Sequence, residues 1–356
     1  MRSLRVDPSR RRYRALIGTG GIGSGLFFAL NGNHTLGREE SRSGWFLDRK
    51  DYCKLHIVAH YVRTLMGADF VALPMGRVGD DEPGQRLLDE MAQAGLNLRY
   101  VRALPGEQTL YSICLLYPDG SGGNLTVDDS ACARVDPALI RQAEADFGRF
   151  AGQGIALAMP EVPLAARAEL LELGTQYRFL RTASFTSGEM RPVRDSDILA
   201  HVDLLAINID EAAALAGVGT GQEPSTVVEG TLQSLRQIQP SMMVSITAGL
   251  HGSWTWDGEA LAYAPAHKVE VAGTAGAGDA HFAGLLAGLA AGLSLGEAHE
   301  LGALTAALSV TSPHTIHKGI DRQSLKVLAD TLHHHRALSL CTGVRQLLRV
   351  SWRDER

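Results

Sequence analysis

The chain has 356 residues, of which 45% are hydrophobic and 21% charged, a composition typical of a folded globular protein. This composition excludes whole-chain disorder, collagen and a long coiled coil. The 34 Lys and Arg residues and the 39 Asp and Glu residues give a formal charge of -5, so no overall attraction to nucleic acid or to an anionic membrane is expected. A small molecule is therefore the expected partner.

Cysteine usage and apolar run length bear on where the protein works. Its 4 cysteines lack the spacing of a metal site, and residues 1–14 lack the apolar core of a signal peptide. We therefore expect a reducing, cytoplasmic setting. The longest strongly apolar stretch, residues 282–293, is shorter than the roughly 20 residues that a membrane-spanning helix needs.

The first third of the chain predicts a strand, a glycine-rich turn and a hairpin. Residues 1–13 are rich in arginine and lack apolar periodicity, so we predict a flexible tail. An apolar run at 13–17 leads into a glycine-rich turn at 18–25, which is typical of a strand followed by a ligand-contacting turn. A helix is predicted at 56–66, a strand at 70–74, a helix at 83–94, and a hairpin from 109–117 and 124–127 around Pro118, Asp119 and Gly120.

From residue 137 onward, helices and strands alternate. Helices are predicted at 137–147, 163–173, 195–200, 210–215 and 225–238, and strands at 154–159, 178–185, 203–207 and 242–247. Two short strands at 253–256 and 261–264 and two helices at 278–292 and 296–311 follow. The alternation predicts an α/β fold with a mostly parallel sheet covered by helices on both faces.

No linker divides the chain. We therefore predict a single α/β domain at 14–335, with a lid formed from segments about 20–52 and 98–130. Residues 336–356 are interpreted as a C-terminal extension.

The strongest chemical signal is the segment 273–279, which precedes an apolar helix. Its glycines let the backbone approach a ligand, and the amides and dipole of the first helical turn favour an anion such as phosphate. Asp279 would then be placed to accept a proton from a hydroxyl that attacks phosphorus. The spacing equally allows Asp279 to be only a first-turn residue that complements the helix dipole.

Four segments, in order, resemble the motifs of the ribokinase-like (PfkB) family of sugar and nucleoside kinases. Residues 276–284 resemble its C-terminal signature, and residues 76–84 its G-x-V-G-D-D-x-x-G block. Residues 208–211 are similar to its N-x-x-E motif, and residues 247–252 to its T-x-G-x-x-G nucleotide loop. The resemblance covers roughly residues 14–320 and identifies the chain as a divergent member.

The resemblance implies a fold and an activity. The fold would be a three-layer sandwich with a mostly parallel central sheet flanked by helices, plus a small β-rich lid. The activity would be transfer of a phosphoryl group from ATP, with Mg²⁺, to a hydroxyl of a sugar-like or nucleoside-like molecule. It implies that Asp279 is the catalytic base and that the backbone of Gly276, Ala277 and Gly278 is the anion hole.

The resemblance also implies a cofactor site and an assembly. Asn208 and Glu211 would organise Mg²⁺ and phosphate, with Glu211 acting through water, and Thr247, Gly249 and Gly252 would lie beside the nucleotide. Lid strands would pair in a homodimer. Without the resemblance, Asn208 and Thr247 would be interpreted as turn residues and Glu211 as a solvated first-turn carboxylate.

The chain departs from the family pattern in two places. Where the family has D-T-T-G-A-G-D, this chain has Gly273, Thr274 and Ala275, so one carboxylate and one hydroxyl are missing. In the N-terminal substrate region Gly23 stands near an expected Asp, and residues 53–56 replace a Gly-Gly pair. The identity of the sugar is therefore left open.

Five residues are predicted to lie at the substrate: Gly20, Gly21, Asp51, His56 and Thr109. His56 and His60 also have the i, i+4 spacing of a metal-binding pair, but no third ligand is evident, and buried structural histidines are the other interpretation.

Two other functions compete with a kinase. Residues 18–23 satisfy G-x-G-x-x-G after a strand, the fingerprint of an NAD-dependent oxidoreductase, but the helix that this fingerprint requires would run through the helix-breaking residues 31–33. The changes at Gly273 and Ala275 also allow a catalytically weak sugar or nucleoside sensor on the kinase fold. Retention of Asp279 favours the enzyme.

Overall fold

The protein is built on a nine-stranded sheet and a separate four-stranded sheet. The computed structural model describes residues 1–7, 9–119, 122–219, 221–335 and 338–350. The strands are β1 Ala15–Thr19, β2 Gly23–Leu30, β3 Gly44–Tyr52, β4 Val71–Gly79, β5 Tyr100–Leu104, β6 Leu110–Leu116, β7 Gly122–Thr126, β8 Gly154–Ala158, β9 Leu180–Ala183, β10 Leu204–Asn208, β11 Met243–Thr247, β12 Ser253–Trp256 and β13 Leu261–Ala264.

The large sheet has the order β13-β12-β11-β10-β9-β8-β1-β4-β5. Strands β1, β4, β5 and β8 to β11 pair in parallel, whereas β12 and β13 are added antiparallel at one edge. Every residue of β1 and β8 is buried, as expected of central parallel strands covered on both faces. The predicted mostly parallel sheet is confirmed.

Helices cover both faces of the large sheet. They are α1 Lys54–Met66, α2 Glu82–Gln93, α3 Pro137–Arg141, α4 Glu144–Arg149, α5 Leu164–Gln176, α6 Met190–Arg194, α7 Ile209–Ala216, α8 Pro224–Ile238, α9 Ala277–Ala290, α10 Leu295–Ser309, α11 Arg322–His334 and α12 Thr342–Leu348. One apolar core lies under α1, α2 and α9 to α12, and the other lies under α3 to α8. Two cores on opposite faces make the predicted three layers.

The closest helix pair is α9 and α10, which meet at small residues. A Cβ atom on Gly284 would lie 2.9 Å from the Cα atom of Gly302, and one on Gly288 would lie 2.8 Å from the Cα atom of Ala298. Such spacing leaves no room for a side chain at either glycine. The contact matters for the site because α9 begins at the glycine-rich segment.

The four-stranded sheet, in the order β3-β2-β6-β7, is the lid. Strands β2 and β3 pair antiparallel, β6 and β7 form the predicted hairpin, and β2 and β6 pair in parallel. Gly120 of the hairpin turn lies outside the described residues. Strand β5, within the second predicted lid segment, belongs instead to the large sheet through its pairing with β4.

Several local predictions differ from the structure. The helix predicted at 137–147 is two short helices, α3 and α4, and that at 195–200 is a 3-10 turn, Asp197–His201. The glycine-rich turn after β1 leads into strand β2, not into a helix. The dinucleotide-binding alternative is therefore wrong, since its phosphate site needs a helix N-terminus at this point.

Both chain ends contact the body where the structure describes them. Leu4 is buried, and its amide donates a hydrogen bond to the carbonyl of Leu65, while the amide of Arg5 donates to that of Leu347. In α12, Val344 and Leu348 are fully buried. The N-terminal segment thus packs against α1 and α12, in contrast to the flexible tail predicted from its arginines. In the described part of the chain, no helix is long and apolar enough to cross a membrane.

Candidate active site

The predicted catalytic and nucleotide residues line one cavity of about 660 Å³. Its wall includes Lys54, Asn208, Glu211, Thr247, Gly249, Gly252, Gly276, Ala277, Gly278 and Asp279. These residues meet because the carboxyl ends of parallel strands β10 and β11 lie at one edge of the sheet, beside the start of α9.

The start of α9 depends on Gly276. This residue has φ 79°, a left-handed conformation that glycine adopts without strain, and a Cβ atom here would stand 2.8 Å from the carbonyl oxygen of Thr315. The turn leaves the amides of Gly278 and Asp279 without intrahelical partners, as at any helix start. A concentration of N–H groups and the positive end of the helix dipole therefore line the cavity and favour an anion.

Asp279 lies half-buried in the first turn of α9. Burial, together with the negative charges of Glu211 and Asp51, raises its pKa to about 6, although the positive charge of Lys54 opposes this rise. A carboxylate with such a pKa is deprotonated near neutral pH and is still basic enough to accept a proton.

Lys54 pairs with Glu211 across the cavity, with 3.1 Å between Nζ and Oε1. Burial alone would lower the pKa of Lys54, but the negative charges of Glu211, Asp279 and Glu161 outweigh it and the pKa is raised. The lysine is therefore fully charged inside the cavity. Lys54 belongs to the segment 53–56 that stands where the family has a Gly-Gly pair.

A capping box fixes Glu211 at the start of α7. The amide of Asn208 donates to Glu211 Oε2 at 2.8 Å, and the amide of Glu211 donates to Asn208 Oδ1 at 2.8 Å. With Lys54 on Oε1, both carboxylate oxygens of this buried side chain already accept a hydrogen bond from the protein.

The residues around the capping box fit Mg²⁺ held through water. Among the described residues there is no group of three or more His, Cys, Asp or Glu side chains that could enclose a metal ion. Mg²⁺ keeps several of its waters and commonly relies on one or two carboxylates plus substrate phosphates. Asn208 and Glu211 are suited to bind such a hydrated ion.

Glu161, which the sequence prediction did not name, lies close enough to Lys54 and Asp279 to interact with their charges. It follows β8 with φ 74°, a strained conformation for a residue other than glycine, and its side chain lies against Gly21, where even a Cβ atom would clash. Its Oε2 atom is buried without a hydrogen-bond partner in the described chain, and burial raises its pKa to about 7. Its position just after a buried parallel strand was the available signal.

Asp51 reaches the same region from the lid strand β3. Its carboxylate accepts hydrogen bonds from Ser112 Oγ at 2.7 Å and from Cys114 Sγ at 3.4 Å. Gly25 stands opposite Asp51 on β2, where a side chain would clash with Ser112. Burial raises the pKa of Asp51, while these two hydrogen bonds oppose the rise.

The other three predicted substrate residues have different surroundings. Gly20 packs tightly on Met159, and a Cβ atom there would lie 2.6 Å from that of Met159. Thr109 is buried and bonds to Asp81 and Gly79, where it completes the N-terminal cap of α2. His56 is buried between the rings of Tyr52, which it meets edge-to-face, and His60, with ring centroids 4.9 and 6.1 Å away.

Thr109 and His56 thus have partners within the fold and are not among the residues that line the cavity of about 660 Å³; their contact with substrate stays a prediction. Burial also lowers the pKa of His56 to about 3, so its ring is neutral. The histidine pair accordingly matches the structural interpretation of the i, i+4 spacing.

The fold and this site define the class of protein. The pattern of the pfkB family carbohydrate kinases matches residues 64–322, and the chain belongs to this family. The glycine-rich turn at the start of α9, the half-buried Asp279 and the lid all lie within a ribokinase-like α/β fold.

The chain is similar to kinases that are named for different molecules. The chain is 28% identical over 234 residues to an ATP-dependent ribose-1-phosphate kinase of Halopiger xanaduensis, which covers 64% of this chain and 71% of that protein. Its fold is similar to that of ribokinase from Cryptococcus neoformans in complex with ADP, with a TM-score of 0.73, 20% identity, and coverage of 88% of this chain and 99% of that chain. A Burkholderia thailandensis nucleoside kinase in complex with inosine gives a TM-score of 0.68 at 17% identity, covering 88% and 96%.

Proposed function

We propose that this protein transfers the γ-phosphoryl group of ATP to a hydroxyl of a sugar-like or nucleoside-like molecule, with Asp279 as general base. The observation that carries the proposal is that Asp279, with its raised pKa, shares one cavity with the amides of the α9 start and the Lys54–Glu211 pair. A base, an anion site and a fixed cation are groups that commonly serve phosphoryl transfer.

In the proposed reaction, Asp279 accepts the proton of the acceptor hydroxyl as its oxygen attacks the γ-phosphorus. A bond forms between that oxygen and phosphorus, and the bond from phosphorus to the β,γ-bridging oxygen breaks, which releases ADP. The backbone of Gly276, Ala277 and Gly278 stabilises the negative charge on the transferred group, with the amide of Gly278 free to donate while that of Ala277 donates to the carbonyl of Thr274. The lid excludes water, which would otherwise compete as acceptor.

The acceptor would lie between the lid and the end of β8. Support comes from Glu161 and Asp51, two carboxylates on opposite sides of this region, one of them with an unpartnered oxygen. Carboxylates hold sugar hydroxyls by accepting their hydrogen bonds. Gly20 and Gly21 let the turn after β1 approach this region closely.

Magnesium would be bound with the donor. Asn208 and Glu211 are the residues that we expect to hold it through water, and Thr247, Gly249 and Gly252 would lie beside the nucleotide. When bound, the ion supplies positive charge that neutralises the phosphate oxygens. Glu211 in turn holds Lys54 in place.

We also propose that two chains pair through the outer face of the lid. Leu26, Ile113 and Leu125 lie in one cross-strand row on β2, β6 and β7, and are 37%, 37% and 61% exposed. Phe46, 63% exposed, packs edge-on against Phe28 beside them. A contiguous apolar face of this kind marks an interaction surface, and a second copy would cover it with the same surface.

The first test measures ADP release from ATP and Mg²⁺ across sugars, sugar acids, polyols, ribose phosphates and nucleosides. Asp279→Asn should lower acceptor-dependent turnover by about two to four orders of magnitude, and Asp69→Asn, an exposed loop change ahead of β4, should not. Near-normal turnover of Asp279→Asn would refute its role as base. Ligand binding without product in the wild type would favour the sensor instead.

The second test is a pH profile of kcat/KM. Because the base must be deprotonated, activity should rise with pH through about 6, the pKa of Asp279, and level off above it. Lys54→Gln should move this limb to higher pH, since Lys54 lowers the pKa of Asp279, whereas Lys54→Arg should leave it in place. The Glu161→Gln variant should show the same rise of kcat/KM with pH. If the rise is absent in this variant, Glu161 is the group that titrates.

The third test is a magnesium titration. Glu211→Gln should raise the Mg²⁺ concentration for half-maximal activity by about tenfold to a hundredfold, as loss of a residue that acts through a metal's waters commonly does. Glu229→Gln makes the same change at an exposed position of α8 and should leave the titration unaltered. An unchanged titration for Glu211→Gln would remove that residue from the magnesium site.

The fourth test is the molar mass in solution, measured by light scattering after size exclusion. The wild type should have twice the 38.2 kDa mass of one chain. Leu125→Glu places a charge on the apolar face of the lid and should give a monomer. Val327→Glu, at an exposed position of α11, should leave the dimer intact. A monomeric wild type at micromolar concentration would rule out the lid dimer.

A further inference from the structure

The lid strand β3 contains an irregularity around Arg49. Gly25 of β2 pairs with Asp51, but Phe27, two residues later, pairs with Leu47, so residues 48–50 of β3 stand opposite one residue of β2. A bulge of this kind ends regular pairing and redirects side chains, and bulges are common beside active sites. The backbone of this bulge needs other partners.

Those partners lie in the segment 312–315 that follows α10. The amide of Lys50 donates to His314 Nδ1 at 3.0 Å, and the amide of Thr315 donates to the carbonyl of Lys50 at 3.1 Å. The amide of Tyr52 donates to Thr315 Oγ1 at 3.0 Å. The bulge is therefore fixed to the segment whose Thr315 carbonyl lies close against Gly276, 2.8 Å from where a Cβ atom on that glycine would stand.

This attachment places the guanidinium of Arg49 beside the phosphate-binding segment. Its Nη1 atom lies 3.6 Å from the point where a Cβ atom on Gly273 would stand, and the carbonyl oxygens of Ser312 and Pro313 lie 3.4 and 3.5 Å from the same point. Arg49 is half-buried, and within the described ranges its guanidinium has no ion pair and no side-chain hydrogen bond.

The segment that Arg49 approaches carries no negative charge of its own. Residues 273–275 are Gly, Thr and Ala, and the amides that begin α9 follow directly. An unpaired, half-buried guanidinium beside an anion-binding turn is suited to phosphate, which it contacts through two parallel hydrogen bonds. The lid thus places a positive charge beside Gly273, three residues before the turn that begins α9.

We propose that Arg49 binds the phosphoryl donor. Its guanidinium would contact the phosphates of the nucleoside triphosphate from the lid side. This inference rests on the proposed function. It implies that the donor phosphates connect the lid to the start of α9, so that donor binding and the position of the lid are coupled.

The test compares the affinity of purified full-length variants for ADP and for adenosine by titration calorimetry, a readout that requires no acceptor. Arg49→Gln should weaken ADP binding by about tenfold to a hundredfold, the loss expected for a charge-assisted hydrogen bond to phosphate. Adenosine has no phosphate, so its affinity should be unchanged. Lys50→Gln, which changes the neighbouring lid cation paired with Glu90, should leave both affinities unchanged.

A second pair of variants tests the same charge from the opposite side. Gly273→Asp places a carboxylate within reach of Arg49, and it should weaken ADP binding, whereas the uncharged Gly273→Asn should have little effect. If the carboxylate acts by neutralising Arg49, then Gly273→Asp should reduce the affinity for ADP much less in the Arg49→Gln variant than in the wild type. Full additivity of the two changes would mean that the carboxylate repels phosphate independently, and would overturn this coupling.

Kinetics separate this proposal from the proposed function. In an active wild type, Arg49→Gln should raise the KM for ATP and leave the KM for the acceptor unchanged. Wild-type affinity of Arg49→Gln for ADP, or an increase confined to the acceptor KM, would overturn the inference while leaving the kinase intact. A wild type that binds ADP but transfers no phosphoryl group would refute the kinase, and the ADP comparison would still decide the role of Arg49.

Discussion

The charge on Lys54 is the constraint on which the active site depends. Three carboxylates, those of Glu161, Glu211 and Asp279, act on its ammonium group, and only one of them pairs with it directly. Uncompensated carboxylates in a partly buried cavity repel one another and take up protons. Lys54 opposes this at Asp279 and Glu161 alike, so it keeps the pKa of each carboxyl lower than burial alone would set it.

The geometry of the parallel sheet explains how such distant residues converge. Glu161 follows β8, Asn208 ends β10 and Thr247 ends β11, and parallel strands present their carboxyl ends at one edge. Lys54 joins them because α1 packs against α9 on one face of the sheet. The lid adds Asp51 from above. The charged groups of the site therefore come from both the large sheet with its helices and the lid.

The sequence predicted the parts of the site that are local in the chain. The start of α9 and the capping box of Asn208 and Glu211 are short motifs, so their geometry follows from neighbouring residues. The partners of Thr109 and His56 within the fold could not be predicted, because a polar residue in a strand or helix gives no indication of which tertiary contact satisfies it. Glu161 was missed for the converse reason, since its unusual backbone conformation and its lack of a partner exist only in the folded chain.

The departure from the family pattern at residues 273–275 shows how a loop is held without its usual side chains. The amides of Ala272 and Gly273 both donate to the carbonyl of Val310, at 2.8 and 3.2 Å, at the end of α10. Backbone hydrogen bonds thus support a segment that has lost a carboxylate and a hydroxyl. The residues just beyond, 312–315, form hydrogen bonds with the bulge of β3, and Thr315 packs closely against Gly276. Because the glycine-rich turn and the lid bulge both contact the segment 310–315, that segment is the physical connection between them.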